Sequence, residues 1–170
     1  MKYIRSICLI LLLVAFFTGC PALNIKTTST TIHNAMPYPT ETAIKQRKML
    51  IGKWLGRAAT DDGREIKWLS ELKSDGTFGL TFRTYNSKGD YQEQSEIGFW
   101  GVSGQIHFTI IRDIIVDKKF IPADPTDPYY YDAYEILKLN DQEFEHKAVT
   151  TGDIYKSQKV SDNYQLPEEL

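Results

Sequence analysis

Cysteine is scarce: Cys8 and Cys20 are the only two in the chain. A scaffold stapled by several disulfides is thereby excluded. Positive charge is not in excess either. The 20 lysines and arginines stand against 22 acids, a formal net charge of -2, which is the wrong sign for a dedicated nucleic-acid binder. No apolar run is long enough to cross a bilayer. The run from Ile7 to Phe17 has no charge, but as a helix it would span only ~17 Å of a ~30 Å hydrocarbon core. The H-E-x-x-H, C-x-x-C and G-x-S-x-G patterns are missing, as is a glycine-rich phosphate loop. Zinc sites, nucleophile-elbow hydrolysis and phosphate cradling therefore have no motif to rest on. What remains, 170 residues of which 42% are hydrophobic and 25% charged, suits one globular domain with an appendage.

The appendage comes first. Lys2 and Arg5 precede the apolar run, which gives way to Thr18 and Gly19; this is the plan of a secretory signal peptide. The segment Phe17-Thr18-Gly19-Cys20 resembles the lipobox of bacterial lipoproteins, an apolar residue and two small ones before an obligatory cysteine. Phe17 stands where leucine is usual. The resemblance implies that residues 1–19 are a lipoprotein signal peptide, and that Cys20 takes a diacylglycerol on its sulfur and an acyl chain on its new amine. A thiolate is the nucleophile such a transfer needs. Two or three chains would hold the protein on a leaflet, whereas one gives only reversible attachment. In that family an aspartate after the cysteine retains the protein at the inner membrane. Pro21 stands there instead, which favours the outer membrane, facing the periplasm.

Residues 20–40 read as a lipidated flexible tether. The stretch from Thr27 to Thr31 is all threonine and serine, and Pro37 and Pro39 follow, a composition that packs poorly. His33 and Tyr38 lie in it and receive no role. Thr40 is placed to cap a helix of about eleven residues with Glu41 in its first turn. Ala43, Ile44, Leu50 and Ile51 form its apolar stripe, and Gly52 its stop.

Beyond Gly52 the period changes to two. Ile66, Trp68 and Leu72 share one strand face, as do Phe78, Leu80 and Phe82, then Ile97 and Phe99, then Ile106, Phe108 and Ile110. Ser74-Asp75-Gly76, Asn86 to Asp90, Ser103-Gly104, Asn140 to Gln142 and Thr151 to Asp153 read as turns. Asp132 to Leu139, Glu143 to Thr150 and Ile154 to Val160 supply three further strands. Eight or nine strands joined by short loops imply an antiparallel meander. With no second set of helices to cover the apolar face, closure into an up-and-down barrel buries it and removes the edges. A β-sandwich is the alternative.

Gly52-Lys53-Trp54 after a short helix resembles the G-x-W signature of lipocalins, in which the tryptophan closes one end of an eight-stranded barrel. Asp75-Gly76-Thr77-Phe78 and Gly98-Phe99-Trp100-Gly101 are similar to the later motifs of small bacterial lipocalin-like domains. The resemblance implies an all-β lipocalin-like barrel over residues 41–165. That family also sets an arginine of the last strand against the tryptophan; Lys156 and Lys159 are the basic residues nearest that place here.

Chemistry is thinly written. His107 and His146 sit within strands and read as solvated or hydrogen-bonded residues, able to meet only if both point inward. Arg83 reads as surface. Asp124, Asp127 and Asp132 lie in or beside a proline-rich loop with Tyr129, Tyr130 and Tyr131 and match no calcium-loop spacing. Trp54, Trp68 and Trp100 read first as packing. Phe78, Phe82, Phe99 and Phe108 are assigned to the barrel interior. If that interior holds a cavity, the ligand-binding residues are Trp68, Phe82, Trp100, Phe108, Tyr129 and Tyr131.

The expected function is that of a lipid-anchored cell-envelope protein whose barrel binds a small hydrophobic or amphipathic molecule. The alternative is a non-catalytic structural or protein-interaction lipoprotein with a solid barrel. No catalytic residue, metal, cofactor or nucleic-acid partner is expected. The partners are a membrane through acylated Cys20, a small apolar ligand and an envelope protein.

Overall fold

The computed structural model of the chain describes residues 40–167. The expected signal peptide, Cys20 and the expected tether up to residue 39, with His33 and Tyr38, lie outside the described residues. Thr40 caps the helix α1 (Glu41–Leu50), its Oγ1 accepting from the Ala43 N–H at 3.2 Å. Leu50 is fully buried, but Ile44 of the expected stripe is exposed. Only the last turn of α1 therefore inserts, and the helix acts as a plug rather than as a packed face.

Nine strands follow: β1 (Gly52–Ala59), β2 (Glu65–Leu72), β3 (Thr77–Tyr85), β4 (Tyr91–Ser103), β5 (Ile106–Val116), β6 (Lys119–Pro122), β7 (Tyr131–Leu139), β8 (Glu143–Ala148) and β9 (Ile154–Val160). All pairings are antiparallel. They run β1-β2-β3-β4-β5-β7-β8-β9 and close by β9 against β1. The result is a closed eight-stranded up-and-down barrel with β6 as an extra strand, and the sandwich alternative falls. β6 pairs with the far end of β5. Its hairpin turn is Asp117-Lys118, with both residues at positive φ (50° and 61°). A two-residue turn of the primed kind needs that backbone at both positions. No glycine or asparagine advertises it, so β6 escapes a reading by turn residues.

The helix end of the barrel is solid. Trp54 is fully buried, and its Nε1 donates to the Leu50 carbonyl at 2.8 Å. Lys159 on β9 lies with Nζ 4.7 Å from the centre of the Trp54 ring. The same Nζ donates to the carbonyls of Met49 at 2.9 Å and Ile51 at 2.6 Å. One cation thus covers the indole and satisfies the carbonyls that the end of a helix leaves open. Lys159 fills the place for which the sequence offered no arginine. Above this plug lie Leu72, Phe78, Trp100, Ile111, Ile136 and Phe144, in one apolar cluster with Leu50 and Trp54. Trp100 Nε1 donates to the Lys73 carbonyl at 2.9 Å, and the Arg47 guanidinium sits 4.5 Å from the indole centre.

Two expectations are corrected. First, the inward face of β4 and β5 is the opposite of the one expected. Phe99, Ile106 and Phe108 are exposed on the outer wall, while Glu96, Trp100, His107 and Ile111 are buried. Gly98 and Gly101 set this arrangement. A Cβ on Gly101 would come within 2.4 Å of the Phe108 ring, so that ring lies over bare backbone outside. A bulge between Ile97 and Gly98 leaves Arg112 without a partner, which turns both Ile111 and Ile114 inward. Second, Arg83 is not a free surface residue. Its Nε binds Glu93 at 2.6 Å, and its NH1 donates to the carbonyls of Leu166 at 2.9 Å and Pro167 at 2.7 Å. The segment after β9 is thereby strapped to the outer wall, where Leu166 and Tyr85 are buried.

Replacing Lys159 by methionine keeps the stem but removes both charge-assisted bonds. The expected loss is roughly 2 kcal/mol of unfolding free energy, read from urea transitions, with Lys159→Arg falling by less.

Candidate functional site

The interior above the plug is not apolar. A cavity of about 120 Å³ is lined by Trp68, Ser70, Leu72, Phe78, Leu80, Phe82, Glu96, His107, Thr109, Asp132, Tyr134, Phe144, His146, Tyr155 and Ser157. Every strand except β1 and β6 contributes a side chain. β1 contributes space instead. A Cβ on Gly56 would fall 2.0 Å from the Trp68 ring, so only glycine lets that indole lie across the wall. Trp68 Nε1 then donates to Ser157 Oγ at 3.1 Å.

The two histidines meet at the centre, their rings 6.1 Å apart. His107 comes from β5 and His146 from β8. Tyr134 stands 4.8 Å from His146 edge-on and 5.8 Å from His107, and Tyr155 stacks on His146 at 5.5 Å. Both ring nitrogens of His107 and Nδ1 of His146 are buried without a hydrogen-bond partner. Such orphans are uncommon, because each costs about 1–3 kcal/mol of desolvation. Burial holds both rings neutral, pulling His107 down to about 3 and His146 to about 4.

Two carboxyl groups face the same space. Glu96 on β4 is pushed up chiefly by burial; a hydrogen bond from Gln94 opposes the shift and the charge of Asp132 adds to it. Asp132 on β7 is also pushed up by burial, with the Tyr134 hydroxyl working the other way. Tyr134 is raised by burial first and by Asp132 next. No lysine or arginine lines the cavity. Among the described residues no three histidine, cysteine or acidic side chains are placed to hold a metal ion. Asp124 and Asp127 are occupied elsewhere, accepting from Thr126 and from the Tyr129 N–H within their own loop.

Of the residues expected to line a ligand site, Trp68 and Phe82 do so. Trp100 lies next to it, its ring 6.1 Å from that of His107. Phe108 is on the outer wall, and Tyr129 and Tyr131 are exposed, with the Tyr131 hydroxyl donating to the Pro125 carbonyl at 2.8 Å. These three are not brought to the cavity. The lining residues that sequence reasoning did not assign to the site are Glu96, His107, Asp132, Tyr134, His146 and Tyr155, although the sequence allows His107 and His146 to meet inside and offers Asp132 as a loop ligand. Their signal was present in part: His146 alternates with Phe144, and Tyr155 with Ser157. On β5 the same alternation pointed to the wrong face.

No family model matches the chain, and no curated protein matches it. Among solved structures, it is similar to a lipocalin-like protein from Bacteroides uniformis, with a TM-score of 0.42 and 16% identity over 66% of this chain and 99% of that one. The barrel assignment rests on the strand pairing itself.

The neutral histidines make stability depend on pH with a definite sign. Unfolded, they bind protons below their ordinary 6.5; folded, they do not until about 4 and 3. The unfolded chain holds more protons in that window, so acid destabilises the fold. Glu96 and Asp132, raised in the fold, act oppositely and lose stability as pH rises through their own window. Comparison with His107→Phe/His146→Phe isolates the first effect. From pH 6.5 towards 4 the parent should lose stability relative to the variant, by at most about 1.4 kcal/mol per pH unit for each histidine, in urea transitions measured across that range.

Proposed function

We propose that the chain is a lipid-anchored, non-catalytic protein of the bacterial cell envelope whose barrel binds one small amphipathic molecule. The observation that carries the binding reading is the cavity lined by His107 and His146, whose His107 Nδ1 and Nε2 and His146 Nδ1 have no hydrogen-bond partner. Unsatisfied buried groups of this kind are what a ligand, or water in its absence, would satisfy. The cavity size narrows the expectation. About 120 Å³ is below the ~300–1,000 Å³ of sites for drug-sized ligands, and the walls are polar as well as aromatic. A long acyl chain does not suit this space; a molecule of a few heavy atoms with hydrogen-bonding groups does.

The anchoring reading rests on the lipobox-like Phe17 to Cys20 and its apolar leader. A second reading, contact with another envelope protein, is favoured by one feature. Phe99, Ile106, Phe108 and Tyr131 are exposed on the outer wall, and the register sets Phe99 by Ile110 and Ile110 by Tyr131.

Two experiments separate these readings. On detergent phase separation, the parent should enter the detergent phase and Cys20→Ser the aqueous phase; identical partitioning would end the anchoring claim. Native mass spectra of the full chain, extracted gently from its own membranes, should show a small adduct that is lost in Leu80→Trp, which fills the cavity. A parent without an adduct, together with crosslinks from position 108 to one partner, would favour the contact reading.

A further inference from the structure

We propose that the molecule taken into the barrel is a small organic cation, an amine or amidine of a few heavy atoms, held between Glu96 and Asp132. The inference rests on the binding reading above and adds the charge of the ligand.

Charge balance is the first argument. Two carboxyl groups, from β4 and β7, line one cavity that contains no lysine or arginine. Each feels the other's charge or its neighbours' polarity rather than a counter-ion: Asp132 disfavours the ionised form of Glu96, and burial disfavours both. A buried carboxylate without a cation is costly, and a ligand that brings one recovers that cost as affinity.

Hydrogen-bond balance is the second argument. His107 is 4% exposed and has no partner on either ring nitrogen. Burial keeps it neutral, so its two unpartnered nitrogens are one free acceptor and one free donor, and His146 adds an unpartnered Nδ1. One donor of the wall, Trp68, is spent on Ser157, and Glu96 already accepts from Gln94, which lies outside the lining. The wall keeps donors as well, in the hydroxyls of Ser70, Thr109, Tyr134, Tyr155 and Ser157; an ammonium or amidinium group, which is all donors, suits the two carboxyl groups and the free imidazole acceptor. A carboxylate or phosphate ligand would meet Glu96 and Asp132 with no lysine or arginine in the lining.

The aromatic walls supply the third argument. Trp68 and Tyr155 stand edge to face at 5.9 Å and Tyr134 stands next to Tyr155 at 6.2 Å. All three rings line the cavity, and the face of an aromatic ring attracts a cation. An inorganic cation is a poorer fit, since no three ligating side chains converge among the described residues.

Calorimetric titration of the full chain in detergent with methylammonium, butylammonium, benzylamine and benzyl alcohol tests this. Benzyl alcohol matches benzylamine in shape and lacks its charge. At least one amine should bind about tenfold or more tightly than the alcohol. Glu96→Gln and Asp132→Asn should each abolish that preference. Both variants remove a charge that burial disfavours, so they should melt no lower than the parent, and the melt is the check that they fold. Equal or tighter binding of benzyl alcohol overturns the cation while leaving a small-molecule barrel. Amine binding unchanged in both variants overturns it too, because the amine then sits elsewhere. Binding of none of the four overturns the cation and the binding reading together.

Discussion

The barrel depends on how its helix end is shut. A helix that stops inside a barrel mouth leaves carbonyls with no intrahelical partner, and a large indole beside them needs its N–H satisfied. Trp54 and Lys159 solve both problems with one contact. The indole takes the Leu50 carbonyl, and the ammonium takes Met49 and Ile51 while lying over the ring. Because Trp54 is on β1 and Lys159 on β9, this contact also spans the seam where the sheet closes on itself. Gly52 belongs to the same device: with φ at 123° and the lysine stem 2.9 Å from its would-be Cβ, it lets the chain turn from helix to strand under the cation.

A firm floor permits an unconventional interior. Between the plug and the opposite rim, an apolar barrel would be filled with branched side chains. Here the filling stops at Trp100 and Phe144, and the next layer is Glu96, His107, Asp132, Tyr134 and His146. Each of these is unfavourable to bury. The rings stack on one another rather than on hydrogen-bond partners, which gives dispersion without polar satisfaction. A fold selected for stability alone would have replaced them, because apolar residues of similar volume are often neutral or better.

This explains what could be seen in the sequence and what could not. Strand alternation, turn residues and the G-x-W motif made the closed barrel and its tryptophan plug legible. Lys159 was noticed only as a basic residue near the right place. The cavity was misread for a physical reason: the rule that places apolar residues inside holds where the interior is a core. On β5 it selected Phe108 and Ile106, and the structure puts His107 and Thr109 inside. The outer Phe108 is tolerated because Gly101 gives its ring a flat bed of backbone, a compensation that depends on cross-strand register and is invisible in one strand's pattern. Arg83 does lie on the outer face as its alternation implies, but its partners there, Leu166 and Pro167, lie more than eighty residues away.

Where local pattern and fold disagree, function is the usual beneficiary. The disagreement here is confined to β4, β5 and the wall they share with β7. On the other strands, β2, β3, β8 and β9, the alternation that buries Leu72, Phe78 and Phe144 also aims Trp68, His146 and Tyr155 at the same cavity. The polar layer is therefore not a fault in one strand. It is assembled from five strands, β4, β5, β7, β8 and β9, each giving up a core position. A layer built that way is hard to explain as packing, and it gathers two carboxyl groups and two histidines in a space that no lysine or arginine lines.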